Sequence, residues 1–439
     1  MKNLLVTLLL LGPMAGMKGY GQFGAGVEVA SQFSAPQDIK AADLDGDLDQ
    51  DIVLRNNGAL VWSRNDGQGI FGPVDTLYAS NWPTSWYYWF DLSDIELDGD
   101  LDVVVLNVQD SLLLWLPNTG GASFAPAQVI ADLHGHGALA SMICSDIMGD
   151  PSPDVIVNEE TMNKRMVYIN DSGTFGTTDS IFGGMWGPMV PALVADDIDL
   201  DGDRDMVIQH WSGQVLALLN SGGAGNSWTD TLMIATGGPF FINNGQNLQL
   251  LDVDANGDLD LADAASDNTP VWAENFAADS GGFRHFLPQW IGPGGGINGH
   301  AGWLAHIGCG VQASALWTGG PDRDTMRWSV FDAQLDAFAP PTYWASEPGI
   351  RLIRTADLNG DGAQDLILSH GDSLVTWYPN LLPQQPNGAV SLTPFDTLCV
   401  NGDPYPLEHA MPAGGTWTGA GVAANTYSPA WAPSILPTR

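Results

Sequence analysis

Cysteine is scarce in this sequence. The 439 residues include three cysteines, Cys144, Cys309 and Cys399. A sparse and odd set of this kind cannot build a disulfide framework, so the small disulfide-stapled architectures are excluded. If the chain is exported to an oxidising compartment, bound divalent ions could brace it in place of disulfides.

Basic residues are also scarce. The chain has 14 Lys and Arg residues against 51 Asp and Glu residues, which gives a formal net charge of −37. Nucleic acid is excluded as a partner, because phosphate recognition needs basic patches. The acidity is concentrated, since 25 of the 51 acidic residues fall within six short segments. A merely solvated acidic surface does not account for that clustering.

Long apolar runs are missing from the chain. A basic start, Met1 to Asn3, precedes an apolar run over residues 4–11, and small residues follow to Gly21. The run is shorter than the roughly 20 residues that a membrane-spanning helix needs. The pattern predicts a secretory signal peptide over residues 1–21, a secreted or cell-surface location, and no membrane span.

Helical periodicity is missing as well. Hydrophobic residues make up 44% of the chain, enough for a sizeable core. They occur in short runs between turn signals, with no stretch at the helical period. The sequence therefore predicts an all-β protein.

What the chain does contain is a repeated acidic nonapeptide. Residues 357–365 read Asp-Leu-Asn-Gly-Asp-Gly-Ala-Gln-Asp, and an apolar strand pattern follows directly. Oxygen-bearing side chains occupy positions 1, 3, 5 and 9, which suits a hard cation such as Ca²⁺ with six to eight oxygen ligands. Gly at position 6 permits a sharp turn at positive φ. The segment predicts a cation-binding loop that leads into a strand.

This nonapeptide recurs at a nearly fixed period. Copies begin at Asp43, Asp94, Asp146, Asp197, Asp252 and Asp357, at intervals of 51, 52, 51, 55 and 105 residues. The last interval is about twice the others, so a seventh repeat without an acidic loop is predicted. Counting back from Trp328 places its loop near Ile307. A fixed period of this length indicates a repeat architecture.

Each repeat continues in the same way after its loop. An aromatic or large apolar residue follows at Trp62, Trp115, Tyr168, Leu218, Trp272 and Trp377, and an Asn comes two or three residues later. Units of about 52 residues hold four short strands, and seven such units arranged radially make a β-propeller over residues 22–382. The last repeat lacks its outer strand, and we expect the segment from Phe23 to Val29 to supply it and close the ring. The recurrent tryptophans, Trp328 included, are predicted to pack between blades.

The C-terminal residues differ in composition. Residues 383–392 are predicted to be a linker, since they contain the run Pro-Gln-Gln-Pro. Residues 393–439 look like the first half of a small β-sandwich that ends before two sheets are complete. The sequence leaves open whether residue 439 is the natural end of the protein.

The loops and the Trp-x-x-Asn pattern resemble the FG-GAP/VCBS repeats of integrin-α-like β-propellers. The resemblance covers residues 23–380 and implies about five or six Ca²⁺ ions. Positions 1, 3, 5 and 9 of each loop would give side-chain ligands. Carried onto this chain, the ligands are Asp43, Asp45, Asp47, Asp51, Asp94, Glu96, Asp98, Asp102, Asp197, Asp199, Asp201, Asp205, Asp252, Asp254, Asn256, Asp260, Asp357, Asn359, Asp361 and Asp365. Residues 393–439 resemble Ig-like modules of secreted Bacteroidota surface proteins.

Two loops depart from the family pattern. The third loop keeps Asp146, Asp150 and Asp154, which are included as predicted ligands, but it has Met148 at position 3 and two prolines. The first loop has Leu48 at position 6, where Gly is expected, so its register is open.

The function that these features favour is recognition. An extracellular or cell-surface adhesion module for a protein or a glycan is predicted, with oligomeric state undetermined. The alternative is a carbohydrate-active enzyme, such as a polysaccharide lyase, with its site at the central channel. An aromatic surface over residues 82–89 favours binding, whereas a cluster drawn from His134, His136, His210, His300, His306 and His370 would favour catalysis.

Overall fold

The computed structural model of the chain describes residues 22–31, 36–56, 58–79, 88–159, 164–182, 189–210, 214–221, 228, 230–236, 248–264, 270–276, 286–290, 302–307, 313–319, 325–346, 349–371 and 373–381. Five two-residue strands between positions 391 and 427 are described in addition. The predicted signal peptide lies outside the described residues, as do Trp82 to Tyr87 and His300. Residues 19–383 form one compact unit, and residues 1–18 with 384–439 form another.

The described residues fold into strands and turns, without a helix, which confirms the all-β prediction. Among them, accordingly, there is no helix with the length and hydropathy that a bilayer crossing requires.

Seven four-stranded antiparallel sheets follow one another along the chain, and each is one blade of a β-propeller. The first strand, β1 (Val27–Ser31), belongs to the last blade. Blade 1 consists of β2 (Asp38–Ala42), β3 (Asp51–Asn56), β4 (Ala59–Asn65) and β5 (Phe71–Ala79). Blade 2 consists of β6 (Tyr88–Ser93), β7 (Asp102–Asn107), β8 (Leu112–Leu116) and β9 (Gln128–Asp132). Blade 3 consists of β10 (Leu139–Ser145), β11 (Asp154–Glu159), β12 (Lys164–Asp171) and β13 (Thr174–Phe182).

The remaining blades repeat this order. Blade 4 consists of β14 (Met189–Asp196), β15 (Asp205–His210), β16 (Gln214–Leu219) and β17 (Asp230–Thr236). Blade 5 consists of β18 (Gln249–Leu251), β19 (Asp260–Ala264), β20 (Pro270–Asn275) and β21 (Phe286–Trp290). Blade 6 consists of β22 (Gly302–Ala305), β23 (Ser314–Gly319), β24 (Thr325–Asp332) and β26 (Thr342–Ser346), and β25 (Ala337–Phe338) pairs with the end of β24. Blade 7 consists of β27 (Ile350–Ala356), β28 (Asp365–His370), β29 (Leu374–Tyr378) and β1.

The N-terminal strand closes the ring, as the sequence predicted. β1 pairs antiparallel with β29, with Val27 opposite Trp377. Upstream of it, the Gly24 N–H donates to the Pro379 carbonyl at 2.7 Å, and the Gln22 side chain donates to the Ile307 carbonyl of blade 6 at 3.0 Å. The seventh blade is thus assembled from both ends of the propeller, and β1 covers the edge that β29 would otherwise expose.

Apolar side chains fill the junctions between neighbouring blades, one buried cluster to each of the seven junctions. Trp115, Trp272 and Trp377 are buried, and Trp62 and Trp328 are half-buried, each against the next blade in the chain. This confirms their predicted packing role.

Blades 3 and 4 differ from the sequence prediction in the corresponding residue. Tyr168 and Leu218 face the preceding blade, and Val167 and Ala217 hold the place of the tryptophan, three residues before the Asn.

A buried Asp and a buried Asn form a clasp in each acidic repeat. In blade 2, one oxygen of Asp102, at loop position 9, accepts from the Ile95 N–H at 2.9 Å, and the other accepts from the Asn118 N–H at 2.7 Å. The Asn118 amide then donates to the Leu101 carbonyl at 3.1 Å and to the Leu44 carbonyl of blade 1 at 2.8 Å. Loop, strand and neighbouring blade are therefore joined by one pair of side chains.

The same clasp recurs around the ring. In each acidic repeat, the side-chain amide of the Asn donates to the carbonyl of loop position 2 in the preceding blade. The donors are Asn65, Asn118, Asn170, Asn220, Asn275 and Asn380. Blade 6 is the exception. Phe331 occupies the Asn position, its N–H donates to the Ala313 carbonyl at 3.0 Å, and the Ala313 N–H donates to the Val253 carbonyl of blade 5 at 3.1 Å. Backbone groups thus replace the missing amide.

This arrangement corrects the register of the hidden repeat by one residue. Ile307 is the residue whose carbonyl meets Asn380, so it holds position 2, and His306 holds position 1. Ser314 begins β23 and holds position 9, the place of the carboxylate elsewhere. Neither His306 nor Ser314 is acidic, in agreement with the prediction that this repeat lacks the acidic ligand set.

The described C-terminal residues are short paired strands. β30 (Ser391–Leu392) pairs with β32 (Ala410–Met411), and β34 (Thr426–Tyr427) pairs with both β31 (Tyr405–Pro406) and β33 (Val422–Ala423). The linker and the partial Ig-like module stay predictions.

Replacing Asn118 by Ala tests the clasp. The variant leaves the buried carbonyls of Leu44 and Leu101 without their side-chain donor, so we expect a loss of about 2–4 kcal/mol in the free energy of unfolding. Urea denaturation in calcium-containing buffer measures it. Thr119→Ser, at the neighbouring exposed position, keeps the hydroxyl that donates to the Ser123 carbonyl; it is the control and should change stability by less than about 0.5 kcal/mol. Equal effects of the two substitutions would show that the clasp contributes little.

Candidate metal centres and the central cavity

Each acidic loop is folded by its own carboxylates. In the second loop, the two oxygens of Asp94 accept from the N–H groups of Asp98 at 3.0 Å and Gly99 at 2.9 Å, and Asp98 accepts from the Asp100 N–H at 3.0 Å. Side chains of this type hold backbone turns by bonding to N–H groups a few residues ahead. The position 1 carboxylate is thereby fixed at the loop centre.

Two positions of every acidic loop have positive φ. Position 6 is Gly in four loops, and Leu48 takes the same conformation in the first loop with φ of 76°. The register of the first loop is therefore regular, although its residue type is not. Position 4 was missed by the sequence analysis: it holds Gly in three loops, and Leu97, Leu200 and Ala255 adopt φ of 61–67° in the others. The loop geometry accepts a strained side chain at either place.

Carboxylates from positions 1, 3 and 9 converge in four of the loops. In each group the oxygens lie within 4.8 Å of one another, a separation that two oxygens on opposite sides of one cation would have at bonds of about 2.4 Å. The four groups are Asp43, Asp45 and Asp51; Asp94, Glu96 and Asp102; Asp197, Asp199 and Asp205; and Asp252, Asp254 and Asp260. Position 5, also a predicted ligand, is not part of these groups: its Asp47, Asp98, Asp201 or Asn256 oxygen accepts from the N–H two residues on.

The carboxylates fit a hard cation. Asp45 Oδ1 and Glu96 Oε2 are buried and have no hydrogen-bond partner. A buried carboxylate oxygen without a partner is costly, and a cation at the centre of the group would satisfy it. The donor set contains oxygen alone, which suits Ca²⁺ or Mg²⁺ and not a thiolate-preferring metal.

Burial makes the position 9 carboxylates difficult to ionise without a cation. Desolvation raises the pKa of Asp51 and Asp154 to about 6, of Asp205 and Asp365 to about 7, and of Asp260 to about 8, despite the two N–H donors that each carboxylate has. Desolvation likewise raises the pKa of Glu96 to about 8, and contact with Asp102 adds to it. Without a cation, these buried carboxylates therefore favour the protonated form more than an exposed carboxylate does.

Two loops assemble a smaller set. In the third loop, Met148 turns into the apolar cluster between blades 3 and 4, and Asp146, Asp150 and Asp154 do not converge into one group in the described structure. In the loop of blade 7, position 3 is Asn359. The carboxylates of Asp357 and Asp365 are therefore accompanied by an amide in place of a third carboxylate. The hydrogen bonds that fold the loop are kept in both.

The residue that precedes the clasp Asn adds a charge to two loops, which the sequence analysis did not notice. In blade 1 it is Arg64, whose Nε lies 2.6 Å from Asp45 Oδ2 and whose Nη2 lies 2.8 Å from Asp47 Oδ2. In blade 5 it is Glu274, which meets Asp254 and also Asp336 from the β24–β25 turn of blade 6. Comparing this one position across the repeats would have found both.

A cavity of about 690 Å³ lies on the propeller axis, because the inner strands of all seven blades line it. Its rim includes loop residues of blades 1 and 7, among them Asp49, Gln50 and Asp357, so it opens beside those two acidic loops. Pockets of roughly 300–1,000 Å³ accommodate small ligands. The cavity falls within that range.

Aromatic and charged side chains alternate on the cavity wall. The Arg354 guanidinium lies 4.3 Å from the ring centre of Trp303 and 3.3 Å from Asp38, and Lys40 pairs with Asp91. Attraction to Asp91 and Asp38 outweighs desolvation and raises the pKa of Lys40.

Trp89 and an unsatisfied hydroxyl also line the cavity. Arg55 stacks on Trp89 at 4.7 Å from the ring centre. The Ser141 hydroxyl is buried without a partner. The wall thus presents paired donors and acceptors next to indole rings.

The described histidines do not form one cluster. His134 pairs with Asp132 and His136 with Glu159, both before the inner strand of blade 3, whereas His306 follows the inner strand of blade 6 and lies at the loop end. His210 and His370 end the second strands of blades 4 and 7. Trp89 is the described end of the predicted aromatic segment, and it lines the cavity.

Comparisons with known proteins agree with this geometry. Residues 43–105 match the family model described as an FG-GAP-like repeat. They comprise the first acidic loop through the second strand of blade 2, and the same clasp recurs in four further blades. The chain is therefore a seven-bladed β-propeller in which residues 43–105 match an FG-GAP-like repeat. A search of curated protein sequences gave no significant match.

Solved structures share the fold at low identity. An Agrocybe aegerita lectin that specifically recognises non-reducing terminal N-acetylglucosamine is 19% identical, with a TM-score of 0.54 over 71% of this chain and 80% of the lectin. BBS1N, solved in complex with ARL6DN, is 9% identical, with a TM-score of 0.50 over 82% of this chain and 98% of BBS1N. Identities in this range establish the propeller fold alone.

The raised pKa values predict how the calcium-free protein responds to pH. The folded state holds protons on Asp51, Asp205 and Asp260 more tightly than the unfolded chain does, whose Asp pKa is near 3.8. This contribution to stability is complete below about pH 4 and is lost as pH rises through 6–8. In chelator, we expect the urea midpoint to be lower at pH 8 than at pH 5.5.

Asp260→Asn provides the control, since it removes the carboxylate with the highest pKa of the five and should flatten the slope. A midpoint that rises from pH 5.5 to pH 8 in chelator would contradict the assignment of these buried carboxylates.

Proposed function

We propose that this protein is a calcium-stabilised extracellular recognition module that binds a glycan in its central cavity. The cavity carries the proposal: indole rings and ion-paired side chains line a space of about 690 Å³ at the loop end of the propeller axis. The likeness in fold to a lectin supports the proposal, although fold alone does not establish function.

Calcium is the cation that the loops favour. Positions 1, 3 and 9 supply side-chain oxygens, from Asp43, Asp45 and Asp51 in the first loop and their equivalents in the others. Flexible loops of many oxygen donors suit Ca²⁺ better than Mg²⁺, which demands a tighter octahedron and keeps its waters. When bound, the ion neutralises carboxylates that burial makes hard to ionise. The six acidic loops would hold six ions, or five ions if the third loop holds none.

The ligand chemistry follows from the wall of the cavity. Sugar rings offer apolar C–H faces, which pack on indole rings such as Trp303, and hydroxyls that both donate and accept. The Arg354–Asp38 and Lys40–Asp91 pairs supply donors and acceptors at fixed positions. The described lining contains no His or Tyr, and its charged groups are largely paired, which favours binding over catalysis.

An extracellular location accords with the N-terminal segment and the acidic loops. Millimolar calcium outside the cell would fill loops of modest affinity, as in other extracellular calcium modules. The scarcity of cysteine accords with metal ions as the stabilising device.

Removing calcium should destabilise the protein strongly. Each occupied site contributes RT ln(1 + [Ca²⁺]/Kd), so several sites together should raise the melting temperature by roughly 10 °C or more over protein in chelator. Differential scanning calorimetry measures the shift, and equilibrium dialysis counts the ions. Magnesium at the same concentration is the control and should restore less than half of the shift. Equal melting temperatures in calcium and chelator would refute a structural role for calcium.

Trp303→Leu tests the cavity. A glycan array with saturating calcium should identify ligands, and the substitution should weaken their binding at least about tenfold, because stacking on the indole is lost. Tyr343→Leu is the matched control: Tyr343 also lies beside a guanidinium, that of Arg327, but on the outer strand of blade 6.

Three other outcomes would overturn the proposal in different ways. Binding unaffected by Trp303→Leu would place the site elsewhere. Capture of a protein and no glycan would assign a protein ligand. Cleaved or unsaturated sugars among the products would establish the enzyme.

A further inference from the structure

We infer that Arg64 is an internal counter-ion of the first acidic loop, which stabilises that loop without calcium and so weakens its affinity for calcium relative to the other loops. The inference rests on the proposed function, in which these loops bind calcium. It concerns one residue whose charge and position set the first loop apart from the rest.

The Arg64 guanidinium bridges two loop carboxylates. Nε lies 2.6 Å from Asp45 Oδ2 and Nη2 lies 2.8 Å from Asp47 Oδ2, so the fork joins loop positions 3 and 5. Charge-assisted, two-point contacts of this kind are among the stronger surface ion pairs. The contact to Arg64 also lowers the pKa of Asp47, the direction expected of a carboxylate held in its charged form.

No other described blade places a cation here. The residue before the clasp position is Pro117, Ile169, Leu219, Glu274, Val330 or Pro379 in blades 2 to 7. Blade 1 also has one of the most acidic loops, with five Asp residues in nine positions. Among these positions, the one cation therefore lies beside a loop that has as much negative charge as any in the chain.

A second feature shows that the two cations would share one carboxylate. Asp45 gives Oδ2 to Arg64, while its other oxygen, Oδ1, is buried without a partner, and the same carboxylate forms one group with those of Asp43 and Asp51. Calcium at that group would lie across a single carboxylate from the guanidinium. Like charges repel at such separations, so Arg64 stabilises the calcium-free loop more than the calcium-bound loop.

The fold does not depend on this side chain. Arg64 is 58% exposed, and proline, leucine and isoleucine hold its place in other blades without loss of the loop. Arg64→Met therefore keeps the stem and removes the charge. The effect of the substitution can be attributed to the guanidinium.

The consequence is an ordered filling of the loops. As free calcium rises, the first loop fills after the second and fourth, which have the same number of acidic residues and no adjacent arginine contact. Leu48, Asp49 and Gln50 of this late-filling loop form part of the cavity rim. Low calcium would thus change the rim of the cavity while the other blades remain braced.

The experiment compares Arg64→Met with Arg204→Met. Arg204 is at position 8 of the fourth loop, but its guanidinium donates to Ser145 Oγ at 3.3 Å and is in no ion pair among the described residues. Equilibrium dialysis with radioactive calcium, over a range of free concentration, gives the number of ions and the binding isotherm, and the site of the first loop is the part of the isotherm that Asp43→Ala removes. We expect Arg64→Met to tighten that site roughly three- to tenfold and Arg204→Met to change it less than twofold.

A loop-specific background makes the assignment definite. In an Asp43→Ala background, which removes the position 1 carboxylate of the first loop, Arg64→Met should leave the remaining sites unchanged. In chelator, Arg64→Met should also melt at a lower temperature than the wild type, since the counter-ion is lost from an acidic loop.

The outcomes separate this inference from the function on which it rests. Wild-type protein that binds no calcium would refute the proposed function and the inference together. Calcium binding with normal stoichiometry, but with affinity unchanged or weakened by Arg64→Met, would overturn the inference alone. Equal tightening by Arg204→Met would also overturn it, since general charge would then account for the effect.

Discussion

The structure depends on placing a carboxylate where water is excluded, at the junction of two blades. The Asp at loop position 9 begins the second strand and is fully buried in all six acidic repeats, and in five of them burial raises its pKa to between about 6 and 8. Its two backbone donors hold the loop to its own blade, and the clasp Asn extends the connection to the preceding blade. A buried polar group needs a hydrogen-bond partner for each of its donors and acceptors. Because a shift of the strand would break the hydrogen bonds of the clasp, the clasp specifies one register for each strand.

This arrangement would make packing between blades and the binding of a cation parts of one equilibrium. The carboxylate at position 9, which holds the loop by two hydrogen bonds, also converges with the carboxylates at positions 1 and 3. A cation there would relieve the charge that burial opposes, and whatever distorts the clasp would also distort the cation site. A chain with three cysteines can in this way obtain cross-links between blades that a disulfide framework would otherwise supply. Closure by β1 completes the ring, so no blade lacks a neighbour.

The repeated part of the structure could be predicted from the sequence because it is periodic. Loop spacing, the Asn and the missing outer strand of blade 7 were sufficient for blade number, order and closure. The misplaced features are those set by side-chain direction: Tyr168 and Leu218 lie one residue out of phase with the tryptophans, and the hidden loop begins at His306. Convergence of residues distant in sequence, such as Asp254 with Asp336, or Trp303 with Arg354, leaves no local pattern to find.

The departures from periodicity are where individual function can arise. A symmetric ring of identical blades would give a channel of uniform chemistry, with no means of orienting an asymmetric ligand. Here the inner strands differ: blade 1 contributes Asp38 and Lys40, blade 6 contributes Trp303 and blade 7 contributes Arg354. The clasp constrains the loop end, the second strand and the third strand, and it does not constrain the residues that face the axis. Because the scaffold is held elsewhere, the side chains of the cavity can vary without cost to the ring, and recognition can be specified there.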